Sequence, residues 1–519
     1  MSTSTPNAVP HEPTTSRVSD LAATLPVVIQ GGMGVAVSSW RLANTVARTG
    51  QLGVVSGTAL DLVLARRLQD GDLQGDVRRA LATFPDQAMV ERALHRYLRP
   101  EGRDGAPYTP LPRLSLRQHP SDQELTVLGN YAEVWLAKEG HDGLVGINFL
   151  EKIQMATPAA AFGAMIAGVD VVLMGAGVPR DIPHLLDELA AHRPVHLPIE
   201  VTGAASGSHT VDLDPREVLG EHLPVLKRPA FLAIISADVL AGYLARDETI
   251  RPDGFVVEGP SAGGHNAPPR GKRVLDELGQ PVFGPRDTAD LVKVAAAGLP
   301  FWIAGSAGTP EAVTAARAAG AVGVQVGTIF ALSQDSGITP DVRAKLLSGL
   351  QEGTLEVRTD GRASPTGFPF KVVQLPGTLS DLDQRAARPR LCDLGYLRTP
   401  YVRKNGAIGY ICPAEPIGTF ERKGGDLAET VGRACLCNAL AADVGLGQTR
   451  ADGYKEETLV TLGADLGGAR QLIAAYPGGW TATQAVEWLL SEQPEATATA
   501  RESADTGQPA EERRSVSTR

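Results

Sequence analysis

Eight short β-branched runs, spaced by Ala- and Leu-rich stretches, constrain this chain more than any other feature. PVVIQ (26–30), LGVVS (52–56), LVGINF (144–149), VDVVLM (169–174), AFLAIIS (230–236), GFVVEG (254–259), FWIAG (301–305) and GVQVG (323–327) read as strands. Helical stretches fall between them at 39–50, 158–168, 182–192, 238–247, 288–298 and 310–320, several closed by the glycine expected after a helix C-terminus. Such alternation implies parallel strands covered by helices. Eight β-then-α units in order are what a (β/α)8 TIM barrel requires, with its active site where strands hand over to loops. A doubly wound open sheet would use the same units, so closure is an expectation for the structure to decide.

Two stretches interrupt the count and read as insertions. Residues 75–141 show helical periodicity at Leu125, Leu128 and Tyr131, and in 194–228 VHLPIEV and HTVDL can pair as a hairpin. After Phe330 the alternation stops: 355–425 carry turn chemistry and 426–490 look helical. The expected organisation is an unstructured tail at 1–20, a barrel at 21–330, a C-terminal region at 331–490 and a second tail at 491–519.

Charge and composition narrow the function. The formal net charge is −10 and no Lys/Arg block offers the positive stripe that phosphate backbones need, so nucleic acid is not an expected partner. The first residues lack the basic and apolar regions of a secretory signal, and the longest apolar stretch, Pro158 to Val178, is broken by Gly163, Gly168 and Asp170. A cytoplasmic protein with no membrane partner is expected. Self-association is compatible with the sequence.

The unusual residues gather at strand ends. Gln30-Gly31-Gly32-Met33-Gly34 follows the first strand, Asn148 ends the third, and Glu258-Gly-Pro-Ser261-Ala-Gly263-Gly264-His265 follows the sixth. The seventh runs into Gly305-Ser306-Ala307-Gly308-Thr309 and the eighth into Gly327-Thr328. Glycines let backbone N–H groups approach a ligand, and the last two loops sit where many barrels bind phosphate on amides and a helix N-terminus. Ordinary tight turns would account for either loop alone; adjacent, they favour phosphate. His265 stands in a glycine-rich loop at a strand end, where a neutral imidazole can accept or donate a proton; a surface-loop histidine is the plainer reading.

Competing motifs fail on context. Val37 occupies the third glycine of a dinucleotide fingerprint, and Asn266 and Arg273 spoil a P-loop in 266–273. Gly259-Pro-Ser261-Ala-Gly263 matches a nucleophile elbow in letters, but glycines and prolines follow it rather than a helix. Histidine spacing offers no catalytic metal site. The four cysteines, Cys392, Cys412, Cys435 and Cys437, could form a structural zinc site, yet Cys435 and Cys437 would diverge on a helix unless it began near Asn438. Buried thiols are the preferred reading, and no metal is expected.

Taken together and in order, PVVIQGGMG, GIN, EGPSAGGH, AGSAG and GAVGVQVGTIF resemble the nitronate monooxygenase (2-nitropropane dioxygenase-like) family of FMN-dependent TIM barrels. The resemblance implies FMN beside the backbone of Gly31, Gly32 and Met33, with Gln30, Asn148, Gly263 and Gly264 in the binding set and His265 catalytic. Phosphate would lie on Gly305, Ser306 and Ala307, then Gly327 and Thr328. Two departures stand out: Ser306 replaces the second glycine after strand seven, and a lysine often found on strand five is replaced by Ile235 and Ser236. RLCDLGYLR, YICPAEP and RACLCNAL look like segments of larger homologues, including enoyl reductases of polyketide and polyunsaturated fatty-acid synthases. The family implies oxidation of a propionate-3-nitronate-like anion with O2 to a carbonyl compound and nitrite. The alternative is NAD(P)H-dependent reduction of an enoyl thioester carried on CoA or an acyl carrier protein, and a third reading is a flavin-binding protein without catalysis.

Overall fold

The computed structural model describes residues 25–491. The tails expected at 1–20 and 491–519 lie outside the described residues, apart from Ser491. Eight strands form the sheet: β1 (Val28–Gln30), β2 (Leu52–Ser56), β3 (Val145–Leu150), β4 (Val171–Gly175), β5 (Ala230–Ile235), β6 (Gly254–Glu258), β7 (Phe301–Ala304) and β8 (Gly323–Val326). Each pairs in parallel with its sequence neighbours, and β1 pairs with β8, closing the sheet into a barrel. Closure decides between the barrel and the open sheet. The registers Gln30↔Val326, Ser56↔Asn148 and Glu258↔Ala304 bring the C-terminal strand ends to one mouth.

Alternation along each strand sorts the core into two layers. Ile29, Val54, Leu173, Leu232, Val256 and Trp302 fill the barrel interior, while Val28, Val55, Phe231 and Phe255 point outward and pack under the helices. Trp302 also donates Nε1–H to the Pro26 carbonyl at 2.8 Å, tying β7 to the entry of β1.

The first insertion is part of the helical layer. Its longest helix, Pro120–Lys138, buries Leu125, Leu128 and Tyr131 as the periodicity requires. It crosses the helix Thr157–Ile166 so closely that a Cβ on Gly163 would lie 2.2 Å from the Val127 carbonyl oxygen. The second insertion forms the hairpin Val195–Pro198 with Thr210–Leu213. Beyond the barrel, hairpins at Glu356–Asp360/Phe370–Gln374 and Thr399–Val402/Ile408–Ile411 are followed by helices Leu436–Ala442, Gly467–Ala475 and Ala482–Leu489. These elements share one apolar core with the barrel, and buried Trp480 donates to the Ile329 carbonyl just after β8 at 2.8 Å. No helix among the described residues is long and apolar enough to cross a membrane.

Candidate active site

The loops at the barrel mouth line a partly open cavity of about 250 Å³, and the C-terminal region contributes part of its wall. On the β1 side the chain is drawn inward by backbone pairing, with Gly31 N–H donating to the Val326 carbonyl at 2.9 Å. Met33 N–H donates to Ser38 Oγ at 3.0 Å. Gly32 admits nothing larger: a Cβ there would stand 2.4 Å from Asn148 Cβ.

Across the mouth, the loops after β7 and β8 present amides and helix starts. Gly305 and Ser306 adopt φ values of +85° and +55°, a conformation glycine takes freely and serine only at a cost. The serine is held there by a hydrogen bond of 2.8 Å from its Oγ to Ser261 Oγ. Thr309 caps the helix Pro310–Ala318, its Oγ1 accepting from Ala312 N–H at 3.2 Å. Thr328 accepts from Gly463 N–H at 3.0 Å. The start of helix Gly467–Ala475 packs so close that a Cβ on Gly468 would meet the Gly308 carbonyl oxygen at 1.9 Å. This arrangement suits an anion held by backbone N–H groups.

His265 is fixed by the C-terminal region rather than by the barrel. Its Nε2 shares a hydrogen bond of 2.7 Å with Ser364 Oγ, and Phe370 meets its ring edge-on at 4.9 Å between centroids. The loop itself is pinned by Lys371 N–H to the Gly264 carbonyl at 2.9 Å and by Gly264 N–H to Thr461 Oγ1 at 2.9 Å. Burial, reinforced by the nearby Lys152 ammonium, lowers the His265 pKa to about 3, so the imidazole is neutral across the physiological range. The neighbouring Glu258 carboxyl is pushed up to about 7 by burial, which the charge of Lys371 only partly offsets. Burial lowers Lys371 to about 8 in turn, and Lys152 to about 8.

Of the residues expected from sequence, Gly31, Gly32, Met33, Asn148, Gly263, Gly264, His265, Gly305, Ser306, Ala307, Gly327 and Thr328 all border this cavity. Gln30 does not. With Ile29 turned into the barrel, Gln30 faces the helical layer, donating to Ser38 Oγ at 2.9 Å and accepting from Val54 N–H at 3.0 Å. It is therefore a buttress behind the loop. Sequence reasoning passed over Gln325, whose inward position follows from strand alternation and whose Oε1 is buried without a protein partner beside the cavity. It also missed Ser364 and Thr461, which are far from the barrel motifs in the chain. Positive charge reaches the site from Lys152, after β3, and Lys371, rather than from β5.

The residues present fit a flavin mononucleotide. The glycine cradle leaves room for a flat ring at the β1 side, Gln325 Oε1 offers an acceptor to a ring N–H, and the β7 and β8 loops offer amides to a phosphate. Of the four cysteines only Cys437 borders the cavity; Cys392 shares a hydrogen bond with Cys412 and Cys435 with Cys437, all as free thiols. The helix carrying Cys437 starts at Leu436 with Cys435 as its N-cap, not near Asn438. Among the described residues no group of three or more His, Cys, Asp or Glu is placed to hold a metal ion.

Comparison with known proteins returns one family description. Residues 225–365 match the family model described as nitronate monooxygenase. No curated protein matches the chain. Similar solved structures include FabK from Thermotoga maritima, 17% identical over 92% of this chain and 96% of that one, with a TM-score of 0.43. Nitroalkane oxidase from Streptomyces ansochromogenes is 16% identical over 90% and 96% of the two chains, with a TM-score of 0.43. The matched segment spans β5 to β8 with the loops after β7 and β8 and His265, the part of the chain that carries most of the motifs of the resemblance.

Proposed function

We propose that this flavin-dependent oxidoreductase binds FMN and oxidises alkyl nitronates with O2 to a carbonyl compound and nitrite. The observation that carries the reading is the neutral His265, held by Ser364, at the edge of the barrel-mouth cavity. A conjugate acid with pKa about 3 makes imidazole a weak base, poorly matched to removing the α-proton of a nitroalkane. A nitronate has already lost that proton and needs only to be held.

Bound FMN would supply the electron acceptance and oxygen reactivity that no side chain here provides. The chain's own contribution is positioning. Ser364 holds His265 Nε2, which leaves Nδ1 as the ring nitrogen for a ligand, and Asn148 Nδ2 stands beside the Gly32 carbonyl at 3.4 Å on the facing loop. Together they can orient the two oxygens of a nitronate. The apolar ring of Phe370 and the 461–469 segment limit water at the reacting carbon. Glu258, half-neutral near pH 7, keeps a second negative charge from opposing the anion.

Stoichiometric nitrite release and O2 consumption on addition of ethyl nitronate test this reading, with Ser364→Ala expected to slow both while leaving FMN bound. Absence of nitrite from FMN-loaded enzyme would reject it. The enoyl-thioester alternative has no observation of comparable weight, since a carrier-borne substrate would call for a basic docking patch that the acidic sequence does not offer.

A further inference from the structure

The four cysteines are the only ones in the chain, and they stand as two thiol pairs in different surroundings. The inner pair, Cys435 and Cys437, lies at the start of helix Leu436–Ala442, and half-buried Cys437 borders the barrel-mouth cavity. In the outer pair Cys412 is buried, while Cys392 is half-exposed and does not border the cavity. The pairs face each other closely enough that the charge of Cys435 acts on both outer thiols, and those of Cys412 and Cys392 act on Cys437. Sulfur is thus placed both in the cavity wall and on an accessible surface.

Within each pair one thiol donates to the other, which favours a thiolate on the acceptor. Cys437 donates to Cys435, the Arg388 guanidinium faces the same sulfur, and Asn438 Nδ2 donates to it at 3.5 Å, so the Cys435 pKa is lowered to about 6. Cys412 donates to Cys392, and the Arg398 guanidinium adds to the effect, holding Cys392 below the usual thiol range. Thiolates in electropositive surroundings are reactive rather than inert. The pairs differ in what a disulfide would cost. Cys435 and Cys437, two residues apart at a helix start, can be bridged only by distorting the backbone, whereas Cys392 and Cys412 are joined through the hairpin Thr399–Val402/Ile408–Ile411, which sets no such constraint. Strained disulfides are the more oxidising, so oxidation runs from the inner pair to the outer.

Taking from the proposed function only that O2 is reduced at a flavin in this cavity, we propose that the four thiols form a relay that removes hydrogen peroxide from the cavity at the expense of an external dithiol. Cys437 passes its proton to the Cys435 thiolate and attacks the peroxide: an S–O bond forms, the O–O bond breaks and hydroxide leaves. That hydroxide takes the proton from Cys435 and becomes water. The Cys435 thiolate then attacks Cys437 Sγ, forming the S–S bond and expelling a second hydroxide, so the pair is oxidised by two electrons and the peroxide reduced by two. Next, Cys392 attacks Cys435 and releases Cys437; Cys412 attacks Cys392 and releases Cys435. The inner dithiol is restored and the disulfide lies on the outer pair. There the external dithiol reduces it at half-exposed Cys392 and leaves as its own disulfide.

The test uses full-length FMN-loaded protein, photoreduced under argon and then given air in the presence of catalase. Peroxide then forms in the cavity whatever the substrate, and any that escapes is destroyed. Thiol counts after acid quench and alkylation, with peptide mapping, should show two of the four thiols lost and the disulfide on Cys392 and Cys412, with dithiothreitol restoring all four. In Cys392→Ser the disulfide should stay on Cys435 and Cys437, and in Cys437→Ser none should form. Four free thiols in wild type after repeated cycles would overturn the relay even if neither variant folds, as would stoichiometric metal on the thiols or an outer disulfide formed at the wild-type rate in Cys437→Ser. If the protein takes up no FMN, added hydrogen peroxide replaces the flavin step: loss of two thiols that Cys437→Ser slows upholds the relay while the flavin reading falls, and unchanged thiols overturn it. Absence of nitrite with the disulfide still formed would reject nitronate oxidation alone.

Discussion

Substituting Gly32 by alanine isolates the fit between the β1 loop and β3. Gly32 does not have a positive φ, so backbone conformation contributes nothing special to the cost. The new methyl would stand 2.4 Å from Asn148 Cβ and 3.3 Å from its Cγ, far inside contact distance, so either the loop lifts or Asn148 turns away. Overpacking of this kind costs roughly 1–3 kcal/mol. Where the free protein already carries the strain, Gly32→Ala should lower unfolding stability by about that amount; where the loop relaxes in the free protein and the strain returns on binding, it should instead weaken FMN binding about 5- to 150-fold. The clash is with Cβ, which makes the cycle diagnostic. In an Asn148→Gly background the alanine should cost almost nothing, whereas in Asn148→Ala the penalty should persist. Urea unfolding of the apoprotein and fluorescence titration with FMN give both arms. Additive effects of Gly32→Ala and Asn148→Gly would refute the packing argument, because contacting residues must couple.

Further outcomes follow from the titratable groups and thiols. His265→Asn should cut nitronate turnover by roughly 10²-fold, the scale of losing one preorganised hydrogen bond to the reacting group, with FMN affinity retained. The same variant should lose the acid sensitivity of wild-type stability: below the ordinary histidine pKa of 6.5 the unfolded chain takes a proton the fold refuses until about pH 3, so stability falls through that window in wild type and less steeply in the variant. For Glu258, kcat/KM should fall as pH rises through about 7 and the carboxylate forms beside an anionic substrate, and Glu258→Gln should remove that limb. A limb unchanged in Glu258→Gln would assign it elsewhere. Elemental analysis should find the four cysteines metal-free and all reactive to thiol reagents on unfolding; about one zinc per chain, lost with stability in Cys412→Ser, would reverse the assignment of these thiols.

The barrel was legible because its strands are buried on both faces and read as short β-branched runs with helices between, and all eight appear where those runs fall. The cavity loops were legible for a related reason: a glycine at a strand end is a local statement about backbone approach. Gln30 shows the limit of that logic, since its letter sits in the motif while alternation turns its side chain away from the mouth. Gln325 was recoverable by the same alternation applied to β8. Ser364, Phe370 and Thr461 were not. They reach His265 and Gly264 across roughly a hundred residues or more of chain, through a C-terminal region whose own pattern names no partner. Helix Pro120–Lys138 likewise looked inserted in sequence because its packing partner, Gly163, is visible only in three dimensions.

The most direct measurement is anaerobic flavin reduction. Purified protein loaded with FMN, mixed without oxygen with ethyl or hexyl nitronate, should lose its absorbance near the flavin maximum rapidly, while NADH and NADPH should leave the spectrum unchanged on that timescale. Fast bleaching by NADH or NADPH with no response to any nitronate, or a protein that takes up no FMN, would contradict the account.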